Sequence, residues 1–148
     1  MEILPYQNKY EAACLQLFDG NEPIYFDKSE KSHFKAYLKR EKHSYWVVKQ
    51  EEKIIACGGF EIEKPEDARI VWLMVSKAMH GKGVGRKLMN HFEQLIQKSG
   101  EFRVISLMTA QEVNHFYERL GYKTLRFEPK YWSERFDLYY MEKQLLTK

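Results

Sequence analysis

The stretch "VWLMVSKAMHGKGVGRKLMNHF", residues 71–92, decides how this chain folds. It joins an unbroken apolar run to an amphipathic one. Three of the chain's eight glycines, Gly81, Gly83 and Gly85, fall within five positions at that junction. Glycine is entropically costly in ordered backbone, so its concentration at a strand-to-helix handover implies a close approach to the main chain. A tight turn alone needs fewer. A helix start presents unpaired N–H groups and the positive end of the helix dipole, and glycines let those amides close on a phosphate with no Cβ in the way. Lys82 and Arg86 add positive charge to the same loop.

Upstream, "IVWLMV" (70–75) is apolar at every position, as in a central strand covered on both faces. Downstream, Leu88, Phe92, Leu95 and Ile96 recur at helical spacing, and "SG" at 99–100 ends the helix. "FRVISLM" (102–108) is the next strand, so strand, helix and strand form a parallel βαβ unit, expected to be right-handed. Val113, Phe116, Tyr117 and Leu120 then predict a short helix over 112–120 with Gly121 as its C-cap. "YKTLRFEPKYW" and "FDLYYMEKQL" close the chain as a hairpin around Ser133–Arg135.

Towards the N-terminus, Tyr10, Cys14, Leu17 and Phe18 share one face of a helix over 8–18, stopped by "DG" at 19–20. A loop leads to a second helix with Phe34, Tyr37 and Leu38 inward. "SYWVVK" and "KIIACGGFEIE" read as strands joined around Gln50–Glu52, and "PED" (65–67) as another turn. The order argues a mixed α/β sheet with helices on both faces.

Bulk properties narrow the function. At 148 residues the chain suits one domain with a sizeable core. Its net charge of +3, from 24 basic and 21 acidic residues, makes no electrostatic case for nucleic acid or an anionic membrane. Cys14 and Cys57 form no CxxC or Cys/His ligand spacing, so no metal site is expected and both read as small buried hydrophobes in a reducing compartment. His33, His43, His91 and His115 show no ligand spacing either. The first residues lack a signal-peptide pattern, and no apolar stretch approaches the length of a membrane span; a cytoplasmic location is expected.

The ligand of the glycine loop is narrowed by exclusion. The Walker pattern GxxxxGK[ST] is absent. The dinucleotide fingerprint GxGxxG fails because Arg86 stands at its third glycine, and no acidic residue ends the following strand to hold a ribose. What remains, "HGKGVG" at 80–85, resembles the [QR]-x-x-G-x-[GA] signature of the GNAT superfamily of acyl-CoA-dependent N-acyltransferases, except at its first position. "NHFYERLGYK" (114–123) is similar to that family's late-helix pattern, and the order of elements agrees along nearly the whole chain. The resemblance implies a single GNAT-like domain over residues 1–148, of α/β or mixed α+β class. Its central sheet is mixed and mostly antiparallel, with six to seven strands and helices on both faces.

The resemblance further implies acetyl-CoA as cosubstrate, its pyrophosphate on the amides of Gly81, Lys82, Gly83, Val84, Gly85 and Arg86. The pantetheine arm would run antiparallel to Leu73, Met74 and Val75 like an added strand, where the strands holding Val75 and Leu107 splay apart. His80 replaces the usual Gln or Arg, so its side chain contributes less to phosphate binding. Ala110 stands where many members carry an Asn, and Asn114, a turn later, is the candidate substitute.

A primary amine would attack the thioester directly, in a ternary complex, with a backbone N–H near Met74 or Val75 facing the oxyanion. Tyr117 is the candidate general acid for the departing thiolate, against the plainer role of a packed helix aromatic. An alkylamine of pKa about 10.4 must first lose a proton, yet no base is assigned. Glu61 and Glu63 share a strand face, Glu61 being a candidate acceptor-site residue, and the central strand offers only Arg69. Tyr25 and Phe26 either shape the acceptor pocket or pack under their loop. The expected activity is N-acetylation of a small-molecule or protein amine. A non-catalytic acyl-CoA-binding sensor is the alternative. The aromatic segment "YWSERFDLYYM" is either core or the face of a homodimer.

Overall fold

The computed structural model describes residues 1–22, 24–40 and 44–145; His43 lies outside them. The elements run β1 (Glu2–Pro5), α1 (Glu11–Asn21), α2 (Lys31–Leu38), β2 (Ser44–Gln50), β3 (Lys53–Lys64), β4 (Asp67–Val75), α3 (Val84–Ser99), β5 (Val104–Thr109), α4 (Asn114–Arg119), β6 (Lys123–Ser133) and β7 (Phe136–Gln144). The seven strands form one sheet in the order β1-β2-β3-β4-β5-β7-β6. β4 and β5 pair in parallel, as the βαβ reading required, and β1–β2, β2–β3, β5–β7 and β6–β7 pair antiparallel. Two compact units divide the chain, 1–60 with 71–92 and 61–70 with 93–148, so β3, β4 and α3 each run through both.

In the first unit, Tyr45, Val47, Cys57 and Met74 on the strands meet Cys14, Leu17, Phe18, Phe34, Tyr37 and Leu38 of α1 and α2 in one buried cluster. Strand side chains alternate, so Trp46 points the other way. There its ring lies 5.6 Å from Phe60, 5.5 Å from Phe92 and 5.3 Å from His91 of α3. Helices therefore cover both faces of this part of the sheet.

Three N-terminal expectations change. Strand β1 was not predicted; it is four residues long and ends in Pro5, which an edge strand tolerates. The first helix begins with a 3-10 turn at Asn8–Tyr10. It runs past "DG" to Asn21, because burial of Leu17, Phe18 and Asn21 outweighs the roughly 1 kcal/mol penalty of a helical glycine.

The run 70–75 is less covered than its uniform apolarity suggested. Ile70 and Met74 are buried, whereas Val71, Trp72, Leu73 and Val75 are half-buried. Trp72 has φ +47°, a bulged backbone that breaks the strand's alternation. Leu95, placed on the inner stripe of α3, is instead 37% exposed and lies at its rim.

In the second unit, β5, β7 and β6 extend from the first half of β4. The tail of α3 anchors them through Glu93, which accepts from Tyr122 Oη at 2.7 Å and from Lys143 Nζ at 3.1 Å. Helix α4 starts two residues later than expected because Glu112 has φ +77° and cannot be helical. Tyr117 is buried, and Val113, Phe116 and Leu120 are half-buried. The helix closes on Gly121 as read, with Gly121 N donating to Glu118 O and Tyr122 N to Tyr117 O.

Candidate active site

The end of β4 is held by side chains where a ladder partner is missing. Its parallel pairing with β5 stops at Arg69↔Ser106. Beyond the Trp72 bulge, Tyr45 Oη donates to Trp72 O at 2.6 Å and Ser76 N to Ile55 O of β3 at 2.8 Å. In extended backbone, successive residues turn their N–H and C=O to opposite sides. With Ser76 facing β3, the amide and carbonyl of Val75 face away from it. The Val75 oxygen receives two donors, Asn21 Nδ2 at 3.0 Å and His80 Nε2 at 2.8 Å. Facing a carbonyl, Nε2 carries the proton.

The glycine loop follows. A 3-10 turn, Lys77–Met79, leads through His80 to Gly81 at φ +78° and Gly83 at φ +81°, and α3 starts at Val84. Both angles lie in the left-handed region that disfavours other residues. A Cβ at either position would meet nothing within 4 Å, so the space over this backbone is open. Lys87 N bonds to Gly83 O at 3.0 Å, the first such helical bond. The amides of Val84, Gly85 and Arg86 precede it and form the unpaired donor set of a helix start. Lys82 and Arg86 are exposed beside them. Open backbone, free donors and local positive charge fit a diphosphate.

The other residues singled out by sequence sit as follows. The His80 ring is directed to β4, with Tyr25 edge-on at 5.3 Å. Phe26 packs 5.2 Å from Phe18 and 6.3 Å from Trp72, so the loop aromatics are half-buried and joined to their own unit. Asn114 and Ala110 are buried, and Ala110 O accepts from Val113 N and Asn114 N. Tyr117 lies 4.9 Å from Phe116 and 5.9 Å from Tyr122. Burial holds its phenol well above the usual tyrosine range. Glu61 is half-buried, and Glu63 Oε2 stands 3.8 Å from Arg69 Nη1.

Sequence reading passed over Asn21, Asp67 and Ser106, all buried. Asn21 continues the α1 stripe by one helical turn after Leu17, a polar residue at an apolar position. Asp67 opens β4 and does not end the turn that "PED" predicts. Ser106 Oγ donates to Asp67 Oδ1 at 2.7 Å and accepts from Arg69 Nε at 2.8 Å. Among the described residues no group of three or more His, Cys, Asp or Glu is placed to hold a metal ion, and no helix is long and apolar enough to cross a membrane.

Residues 41–124, more than half of the chain, match the family model described as an acetyltransferase (GNAT) domain. The chain belongs to the GNAT acetyltransferase family. Solved GNAT structures share its fold at low sequence identity. The ribosomal-protein-S18-alanine N-acetyltransferase from Escherichia coli is 17% identical with a TM-score of 0.82, covering 99% of this chain and 95% of that one. An aminoglycoside 6'-N-acetyltransferase complexed with coenzyme A is 15% identical with a TM-score of 0.81, covering 100% and 99%. The protein yncA from Salmonella typhimurium, solved with its cofactor acetyl-CoA, is 17% identical with a TM-score of 0.77, covering 100% and 95%.

Proposed function

We propose that this protein transfers an acetyl group from acetyl-CoA to a primary amine by direct attack in a ternary complex. The observation that carries this reading is the loop after β4, where Gly81 and Gly83 hold positive φ under open space and the first amides of α3 are free. The amides of Gly81 and of Gly83 to Arg86 hold the coenzyme's diphosphate, Lys82 N being bonded to Met79 O at 3.3 Å, and the side chains of Lys82 and Arg86 balance its charge.

Leu73, Met74 and Val75 take the pantetheine arm. Val75 O is already engaged by Asn21 and His80, so β4 offers the arm its N–H groups at this end. Alternation assigns the oxyanion donor as well. Met74, like Ser76, turns its amide to β3, which leaves the Val75 N–H for charge that develops during attack. His80 therefore serves the coenzyme through Val75, not by touching phosphate. Asn114, a turn after Ala110, supplies the side-chain amide that position 110 lacks; Gln111, the amide next to Ala110, is engaged with Arg135 O and Asp137 N.

Tyr117 is assigned as general acid by the family's late-helix pattern. Its burial keeps the phenol protonated throughout the working pH range, as a proton donor requires. The same burial makes full transfer to a thiolate uphill unless the thiolate is equally desolvated, so the proton moves as the C–S bond breaks. The amine loses its own proton before attack.

Thiol release from acetyl-CoA, followed over a panel of primary amines, tests the reading. Amine-dependent release is expected; coenzyme binding with no release for any amine would favour an acyl-CoA sensor instead.

A further inference from the structure

Helix α4 ends in a cap that ties two tyrosines together. Gly121, at φ +97°, turns the chain so that Gly121 N donates to Glu118 O at 3.0 Å and Tyr122 N to Tyr117 O at 3.1 Å. The two tyrosine rings then meet edge to face, 5.9 Å apart. An apolar contact between these two positions commonly accompanies such a cap, and a phenylalanine at 122 would supply it. Tyr122 does more. It is 2% exposed, yet its hydroxyl donates to Glu93 Oε2 at 2.7 Å, joining the cap to the tail of α3. Burying a hydroxyl against a carboxylate costs desolvation that the cap alone does not call for.

The anchor is braced from a third side. Lys143 of β7 donates to Glu93 Oε1 at 3.1 Å and lies 5.6 Å over the Tyr122 ring. Tyr122 is thus held at its phenol, its ring and its main chain, while it packs against Tyr117. Tyr117 shows the opposite pattern. Its side chain is buried, and among the described residues its own phenol makes no hydrogen bond. A proton donor needs that oxygen free for the reacting atom, so its orientation must come from what surrounds the ring. Phe116, 4.9 Å away, is the other aromatic neighbour; it is half-buried and has no polar group to fix it.

We infer that Tyr122 is a positioning residue: anchored on Glu93, it fixes the Tyr117 ring in the orientation from which the phenol donates its proton. This rests on the acetyltransferase reading and on Tyr117 as its general acid. Tyr122 acts only through Tyr117, and Glu93 and Lys143 act through Tyr122. All four residues belong to the same compact unit.

The test is a double-mutant cycle read in kcat for thiol release. Tyr122→Phe keeps the ring and removes the anchor. It should lower kcat at least about fivefold, with KM for the amine and coenzyme A affinity each held within about twofold. Glu93→Gln retains an acceptor for the Tyr122 phenol and should lose less turnover than Glu93→Ala. In a Tyr117→Phe background, Tyr122→Phe should move kcat by less than about twofold, because the acid it positions is gone. Full turnover in Tyr122→Phe, equal losses in the two Glu93 variants, or the same loss with and without the Tyr117 phenol overturns the inference. If no amine releases thiol, or Tyr117→Phe keeps full turnover, the acetyltransferase reading or its acid fails, and aromatic NMR judges the anchor by itself. The Tyr117 ring must then flip at least about fivefold faster in Tyr122→Phe than in wild type; equal flip rates overturn the assignment.

Discussion

His80 Nε2 lies 2.8 Å from the carbonyl oxygen of Val75, so the residue that opens the glycine loop is bonded to the end of the strand before it. The loop and the strand end are thereby one rigid piece, presenting amides along both. Asn21 completes the arrangement from α1, dividing its Nδ2 between Leu17 O at 2.8 Å and Val75 O at 3.0 Å.

His80→Ala should weaken coenzyme A binding by about 1 kcal/mol, roughly fivefold, through loss of one hydrogen bond that orients the loop. His80→Gln retains a donor and should lose less. Calorimetric titration of the two variants checks the order; equal losses would mean that the ring acts by bulk or charge instead.

Asn21→Ala removes a buried amide and leaves the Leu17 and Val75 carbonyls each one donor short. A loss of about 1–3 kcal/mol in folding stability is expected from urea unfolding. Ser106→Ala should cost a similar amount, because it strips the buried Asp67 carboxylate of its one hydrogen bond among the described residues, Asp67 Oδ2 already having none.

Tyr117→Phe keeps the packing against Phe116 and Tyr122 and removes only the proton donor. It should lower kcat by about 10²-fold or more and leave the coenzyme dissociation constant within about twofold. Loss of coenzyme affinity in place of turnover would reassign the residue to packing.

Alkaline pH should unfold the protein early. Burial raises the phenols of Tyr45 and Tyr117, and burial with the Glu93 carboxylate raises Tyr122, all above the ordinary value of 10.0. A raised folded-state value means that these groups stay protonated in the native protein while the unfolded chain ionises. Their contribution is intact below pH 10 and falls as pH rises beyond it, by up to about 1.4 kcal/mol per pH unit for each phenol. His91 acts at the other end. Burial lowers its value from 6.5, so its contribution is present above that pH and declines as pH drops below it. Urea midpoints measured from pH 5 to pH 11 should therefore fall at both extremes, and His91→Gln should flatten only the acid side.

What the sequence made legible was the local part of the fold. The βαβ unit around residues 71–108 shows through periodicity alone, and the two motifs that flank β5 show through their glycines. Strand β1 is too short for a period to appear, and its pairing with β2 is a non-local choice. The extension of α1 depended on burial that only the folded sheet supplies. The polar residues that matter most join distant positions: Asn21 meets Val75 across 54 residues, and Asp67 meets Ser106 across 39. No spacing rule reaches that far, so Asn21 looked like loop and Asp67 like turn. Tyr117 was visible only through its motif, because a buried helix aromatic and a general acid read alike.

Calorimetric titration of coenzyme A into wild-type protein and Gly83→Val tests the central claim most directly. Position 83 has φ +81°, a conformation a β-branched residue strongly resists, while its Cβ would meet no protein atom, so the substitution acts on the cradle and not on the core. The account predicts a saturable heat for wild type and at least about tenfold weaker binding for the variant. No heat from wild type, or equal affinity in the two proteins, would contradict it.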